Sequence, residues 1–172
     1  IEASEKDYLD TQEGLKKLKS EIKDWFLSKS TFVGEADSKL DLQAKEGSKF
    51  LYQDLYSVMK KYNLWELGKK TAKEYILNPS SERWIKGMRI CMAEMGLIDF
   101  NEKIPRVKEI FAGIASKENR KKYILSRLAF LQTYFELLGV SEVQLFRGMT
   151  TERKNFEKPK TLISTSFNPD VG

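Results

Sequence analysis

Along residues 4–138 apolar side chains return every three or four positions among lysines and glutamates, and this helical period constrains the fold more than any other feature of the chain. Tyr8, Leu15, Leu18, Ile22, Trp25 and Phe26 predict an amphipathic helix over 4–29. Gly34 breaks the pattern. Asp37 or Ser38 is placed to cap a second helix that runs to about Tyr62 through Leu40, Leu42, Phe50, Leu51, Leu55, Tyr56 and Met59, with Gly47 as a point of interruption. A third helix over 64–77 stops at Asn78-Pro79, because proline disfavours the α conformation in the residue before it. Ser80 or Ser81 with Glu82 opens a fourth, through Trp84, Ile85, Met88, Cys91 and Met92 to Gly96. Pro105 suits the first turn of a fifth helix burying Val107, Ile110, Phe111 and Ile114. After the break at 116–119, a sixth ends at Leu138 with Gly139 as its cap.

Beyond Gly139 the period shortens. Val143-Gln144-Leu145-Phe146 and Thr161-Leu162-Ile163-Ser164-Thr165-Ser166-Phe167 are short, rich in β-branched or aromatic residues, and flanked by turn formers, so both are predicted as strands. The expected class is therefore α+β: a lobe of about six helices over 1–140, followed over 141–172 by the first strands of a sheet that these residues are too few to close. Nothing recurs at a fixed spacing, which argues against a solenoid.

At 172 residues the chain is long enough for one domain with a proper core, or one domain and part of another. Thirty Lys and Arg against 25 Asp and Glu leave a net charge of +5, with both signs interspersed. Lys16-Lys17, Lys19, Lys60-Lys61, Lys69-Lys70 and Arg120-Lys121-Lys122 lie on separate helices with acids between them, so they are read as solvated faces rather than a nucleic-acid footprint. The absence of histidine excludes imidazole triads, imidazole metal ligands and a histidine pH switch. The single Cys91 sits in an apolar run, as a buried structural thiol would. Trp25, Trp65 and Trp84 fall on apolar stripes and are read as core or groove anchors. No apolar stretch reaches the roughly 18 residues of a membrane span. The chain begins at Ile1 without a signal-peptide pattern and reads as a piece of a longer protein.

The residues that point to chemistry follow the last helix. An arginine at a strand end, followed by a glycine that lets the backbone turn, offers a two-pronged guanidinium to a phosphate, and Leu145-Phe146-Arg147-Gly148 has that form. In Ile163-Ser164-Thr165-Ser166-Phe167 alternate residues of a strand face opposite ways, so Ser164 and Ser166 share one face and Thr165 takes the other. Hydroxyls on such a face suit a ribose or a catalytic carboxylate. The two motifs stand 17 residues apart, Arg147 to Ser164, in consecutive predicted strands.

In this order they resemble the mono-ADP-ribosyltransferase family of bacterial toxins, phage enzymes and vertebrate ecto-enzymes, in the group marked by an arginine, a Ser-Thr-Ser strand and a Glu-x-Glu or Gln-x-Glu pair. The resemblance implies NAD as substrate, Arg147 and Gly148 at its phosphates, and Ser164, with Thr165 and Ser166, at the nicotinamide-ribose pocket. It also implies a protein acceptor, in a host cell, and a secreted or delivered toxin or effector. Helices ahead of the arginine resemble the family's helical lobe, with Tyr123, Leu128, Phe130, Leu131 and Tyr134 expected to pack the last of them beneath the sheet. The third motif is absent: no Glu-x-Glu or Gln-x-Glu occurs in the 172 residues, and in the family it follows the Ser-Thr-Ser strand. That glutamate stabilises the oxocarbenium-like state formed as nicotinamide leaves, so this stretch is expected to bind NAD and barely to react, as the N-terminal portion of an enzyme or as an inactive relative. Two other readings stand beside transfer: a non-enzymatic helical module whose helices form a groove for a partner, and hydrolysis of NAD.

Overall fold

The computed structural model describes residues 4–29, 45–78, 81–100 and 109–146. Five α-helices make up most of them: α1 (Glu5–Leu27), α2 (Lys45–Lys61), α3 (Trp65–Leu77), α4 (Gly87–Glu94) and α5 (Lys117–Leu137). One π-helical turn, Glu82–Lys86, runs directly into α4, and one 3-10 turn, Gly113–Ala115, precedes α5.

The helix ends are set by local chemistry. Ser4 and Asp7 form a reciprocal capping box at the start of α1, the Ser4 hydroxyl accepting from the Asp7 N–H at 3.1 Å. Ser116 accepts from the Asn119 N–H at 3.2 Å and starts α5. Three helices end on the same two-bond motif around a left-handed residue. At α5 the Val140 N–H reaches Phe135 O at 2.9 Å and the Gly139 N–H reaches Glu136 O at 3.1 Å, with Gly139 at φ +68. Gly96 closes α4 in the same way, and Asn63, at φ 57, does so for α2. Gly47 lies within α2 and does not interrupt it.

α5 is the hub, packing on α1, α2, α3, α4 and the 3-10 turn. Gly14 faces Leu125, the Thr133 hydroxyl reaches Lys19 O at 3.5 Å, and Lys23 pairs with Glu136, so residue numbers rise together and α1 runs parallel to α5. Phe26, Phe130 and Tyr134 are fully buried where these helices meet, with ring centroids 5.5 to 5.8 Å apart. α2 adds Leu51, Leu55, Val58 and Met59 to the same core.

Two larger expectations also fail. The α+β class is wrong for what is described: among the described residues there is no strand, and the arrangement is helical. Val143 and Leu145 are exposed, and the predicted Val143–Phe146 strand is reduced to one isolated bridge at Phe146. Alternation sets which face each residue takes, but a strand forms only against a neighbour, and none is described there. Thr161 to Phe167 lie outside the described residues. The fifth helix also fails in its described part. Glu109 to Phe111 form a turn, Ala112 is extended, and Gly113 at φ +59 leads into the 3-10 turn. The pattern Ile110, Phe111, Ile114 is met without an α-helix, since the turn buries Ile110 and half-buries Phe111 while the 3-10 turn half-buries Ile114.

Candidate functional site

All five predicted site residues, Arg147, Gly148, Ser164, Thr165 and Ser166, lie outside the described residues. The structure describes the approach to them. Gly139 stops α5, and residues 140–146 leave its end over a hollow of about 300 Å³ lined by Lys19, Gln132, Phe135, Glu136, Val140, Ser141 and Val143. Lys19, Gln132 and Glu136 also line a neighbouring cleft of about 430 Å³ between α1 and α5. Lys19 and Lys23 both pair with the Glu136 carboxylate, at 3.2 and 3.3 Å, and hydrogen bonding by Lys19 and then Lys23 holds that carboxyl below its usual range. The aromatic residues expected beneath a sheet are placed otherwise. Phe130 and Tyr134 face the helical core with Phe26, Leu128 packs near Met88 and Cys91, and Tyr123 faces a groove on the opposite flank.

The most unusual polar group was misread from sequence. Arg120, grouped above with exposed lysines, is fully buried. Its Nε donates to Ala115 O at 2.6 Å, Nη1 to Trp84 O at 2.9 Å, and Nη2 to Ile110 O at 3.0 Å and to Arg83 O. The guanidinium lies between the rings of Trp84 and Phe111, 5.6 and 5.4 Å from their centroids. Burial lowers its pKa to about 10, which leaves it charged at neutral pH. A side chain at Gly87 would meet the guanidinium at 2.8 Å, so this position stays bare to admit it. One cation thereby ties the π turn, the 109–111 turn and the 3-10 turn to α5. The available signal was position: Arg120 stands four residues before buried Ile124, on the apolar stripe.

Cys91 matches its expectation. It is fully buried, and burial pushes its thiol up to about 11, far from a nucleophilic thiolate. Several predicted solvated lysines find local partners: Lys69 pairs with Glu66 at 2.9 Å, Lys121 with Glu94 at 3.1 Å, and Lys60 lies over the Tyr56 ring. Among the described residues no group of His, Cys, Asp or Glu is arranged to hold a metal, and no helix is long and apolar enough to cross a membrane.

An apolar groove of about 620 Å³ lies where α2, α3, the π turn and α5 converge. Leu55, Met59, Ile85 and Met88 form its floor, and Tyr52, Trp65, Tyr75 and Tyr123 its walls. Lys69 and Arg127 are its charged lining residues. Arg127 lies 5.4 Å from the Tyr123 ring centroid and donates to the Tyr123 hydroxyl at 3.0 Å. Gly68 brings α3 close to α5, since a Cβ there would sit 3.1 Å from the Tyr123 ring. Trp65 stands on an apolar stripe legible in the sequence, but no local pattern joins it to residues as distant as Tyr52 and Arg127. Comparison with family models, with curated proteins and with solved structures returned no match.

Proposed function

We propose that this chain contributes to NAD-dependent transfer of ADP-ribose to a protein side chain, as part of a toxin or effector acting on a host protein. The observation that carries the reading is the pair Leu145-Phe146-Arg147-Gly148 and Ile163-Ser164-Thr165-Ser166-Phe167, in that order and directly after the α5 stop at Gly139. Arg147 holds the diphosphate through charge-assisted hydrogen bonds, with Gly148 giving the backbone room to turn. Ser164, supported by Thr165 and Ser166, hydrogen-bonds the nicotinamide ribose. These groups bind and orient NAD. Bond cleavage needs a carboxylate at the ribose as well, and its Glu-x-Glu or Gln-x-Glu carrier does not occur in these residues.

NAD affinity is therefore the property to measure in this chain. Titration calorimetry is expected to show NAD binding that weakens at least about tenfold, or 1.4 kcal/mol, in Arg147→Ala and is unchanged in Lys60→Ala with Lys61→Ala. Equal affinity in the Arg147 variant overturns the assignment. In the parent protein, labelled acceptor rather than free ADP-ribose distinguishes transfer from hydrolysis.

A further inference from the structure

We infer that the groove between α2, α3, the π turn and α5 is a docking site for an acidic amphipathic helix of a partner protein. This site uses none of the proposed NAD-binding residues Arg147, Gly148, Ser164, Thr165 and Ser166. Three observations lead to it.

The first is the chemistry of the lining. Leu55, Met59, Ile85, Met88, Trp65 and Tyr123 offer an apolar trough, and methionine side chains adapt their shape to an incoming apolar surface. Tyr52 is 61% exposed at its edge, and α3 ends in Ile76 and Leu77, 79% and 67% exposed.

The second is charge. The lining contains two cations, Lys69 and Arg127, and no carboxylate. Lys69 is surface-exposed and shares its charge with Glu66, a pairing weak enough for a competing carboxylate to displace. Lys70 and Lys73 add exposed positive charge along α3. An occupant with acids flanking an apolar stripe gains at both the floor and the rim, and a basic one is repelled.

The third observation selects a helix over an extended segment. The floor of Leu55, Met59, Ile85 and Met88 carries no side-chain N–H or O–H, and the Thr71 hydroxyl already donates to Leu67 O at 2.8 Å. An extended peptide would leave its backbone N–H and C=O groups unmatched against this floor, whereas a helix satisfies its own and presents residues at i, i+3, i+4 and i+7.

The test selects a displayed library of randomised 16-residue peptides on the full chain, then measures the best binder by fluorescence anisotropy. The expected consensus places Leu, Phe or Met at helical spacing with Asp or Glu between them. Its affinity should fall at least tenfold when its acids become lysine. Lys69→Glu, an exposed change, should weaken the acidic peptide about tenfold, and Arg127→Glu should weaken it further. Circular dichroism of each variant keeps loss of folding apart from loss of binding, and Lys16→Glu, on α1, serves as a remote charge control. A basic or non-helical consensus, equal weakening by Lys16→Glu, binding only of small aromatic molecules, or no enrichment each overturns the proposal.

Discussion

From Phe130 onward α5 meets α1 through a buried apolar seam, Phe130 and Tyr134 against Phe26, with the Thr133 hydroxyl and the Lys19 and Lys23 pairs of Glu136 at its margin. Ten residues earlier the same helix carries Arg120, whose guanidinium satisfies carbonyls of Arg83, Trp84, Ile110 and Ala115. Both residues are fully buried, but they hold the fold by unlike means. Apolar contact is undirected and scales with area, so a seam of rings accepts a substitute of similar volume. Hydrogen bonds to fixed carbonyls need donors at fixed angles, so the arginine junction accepts almost none.

Conservative substitutions on each side put that contrast to the test. Arg120→Lys is expected to have the largest effect, about 3–5 kcal/mol in urea denaturation, because one ammonium cannot span carbonyls from three segments and leaves buried acceptors unmatched. Phe130→Leu should cost only about 1–1.5 kcal/mol in the same measurement. If the lysine costs no more than the leucine, the distinction between the two halves fails. The smallest effect belongs to the rim. Burial alone would raise the Glu94 carboxyl, but its hydrogen bonds from Lys117 and Lys121 outweigh burial and leave it below the usual value. Since the folded pKa lies below the unfolded one, the contribution is complete above the ordinary carboxylate range and is lost as pH falls through the folded value. Glu94→Gln should therefore destabilise by less than about 1 kcal/mol at neutral pH, with the gap to the parent closing in acid, as thermal melts across pH would show.

The helices were legible where side chains declare their ends: Ser4, Ser116, Asn78, Gly96 and Gly139 all stand at or beside the boundaries expected of them. Other features depended on distant partners. Arg120 is chemically identical to its exposed neighbours in the Arg-Lys-Lys run, and only the carbonyls of two remote turns make its burial affordable. Val143 to Phe146 has a strand's composition without a described neighbour to pair with. Of the candidate NAD residues, the structure describes only the approach, as far as Phe146. The groove gathers residues from 52 to 127, a juxtaposition that no local pattern encodes.

The π turn at Glu82–Lys86 carries a consequence for how such a sequence can drift. Here the Lys86 and Gly87 N–H groups each reach back five residues, to Ser81 O and Glu82 O. Losing one residue from this turn would restore an ordinary α turn and rotate everything ahead of it by about 100° relative to α4. Deletions and insertions at this junction should then be purged even where point changes are accepted, so descendants of this chain ought to conserve its length there more faithfully than its letters.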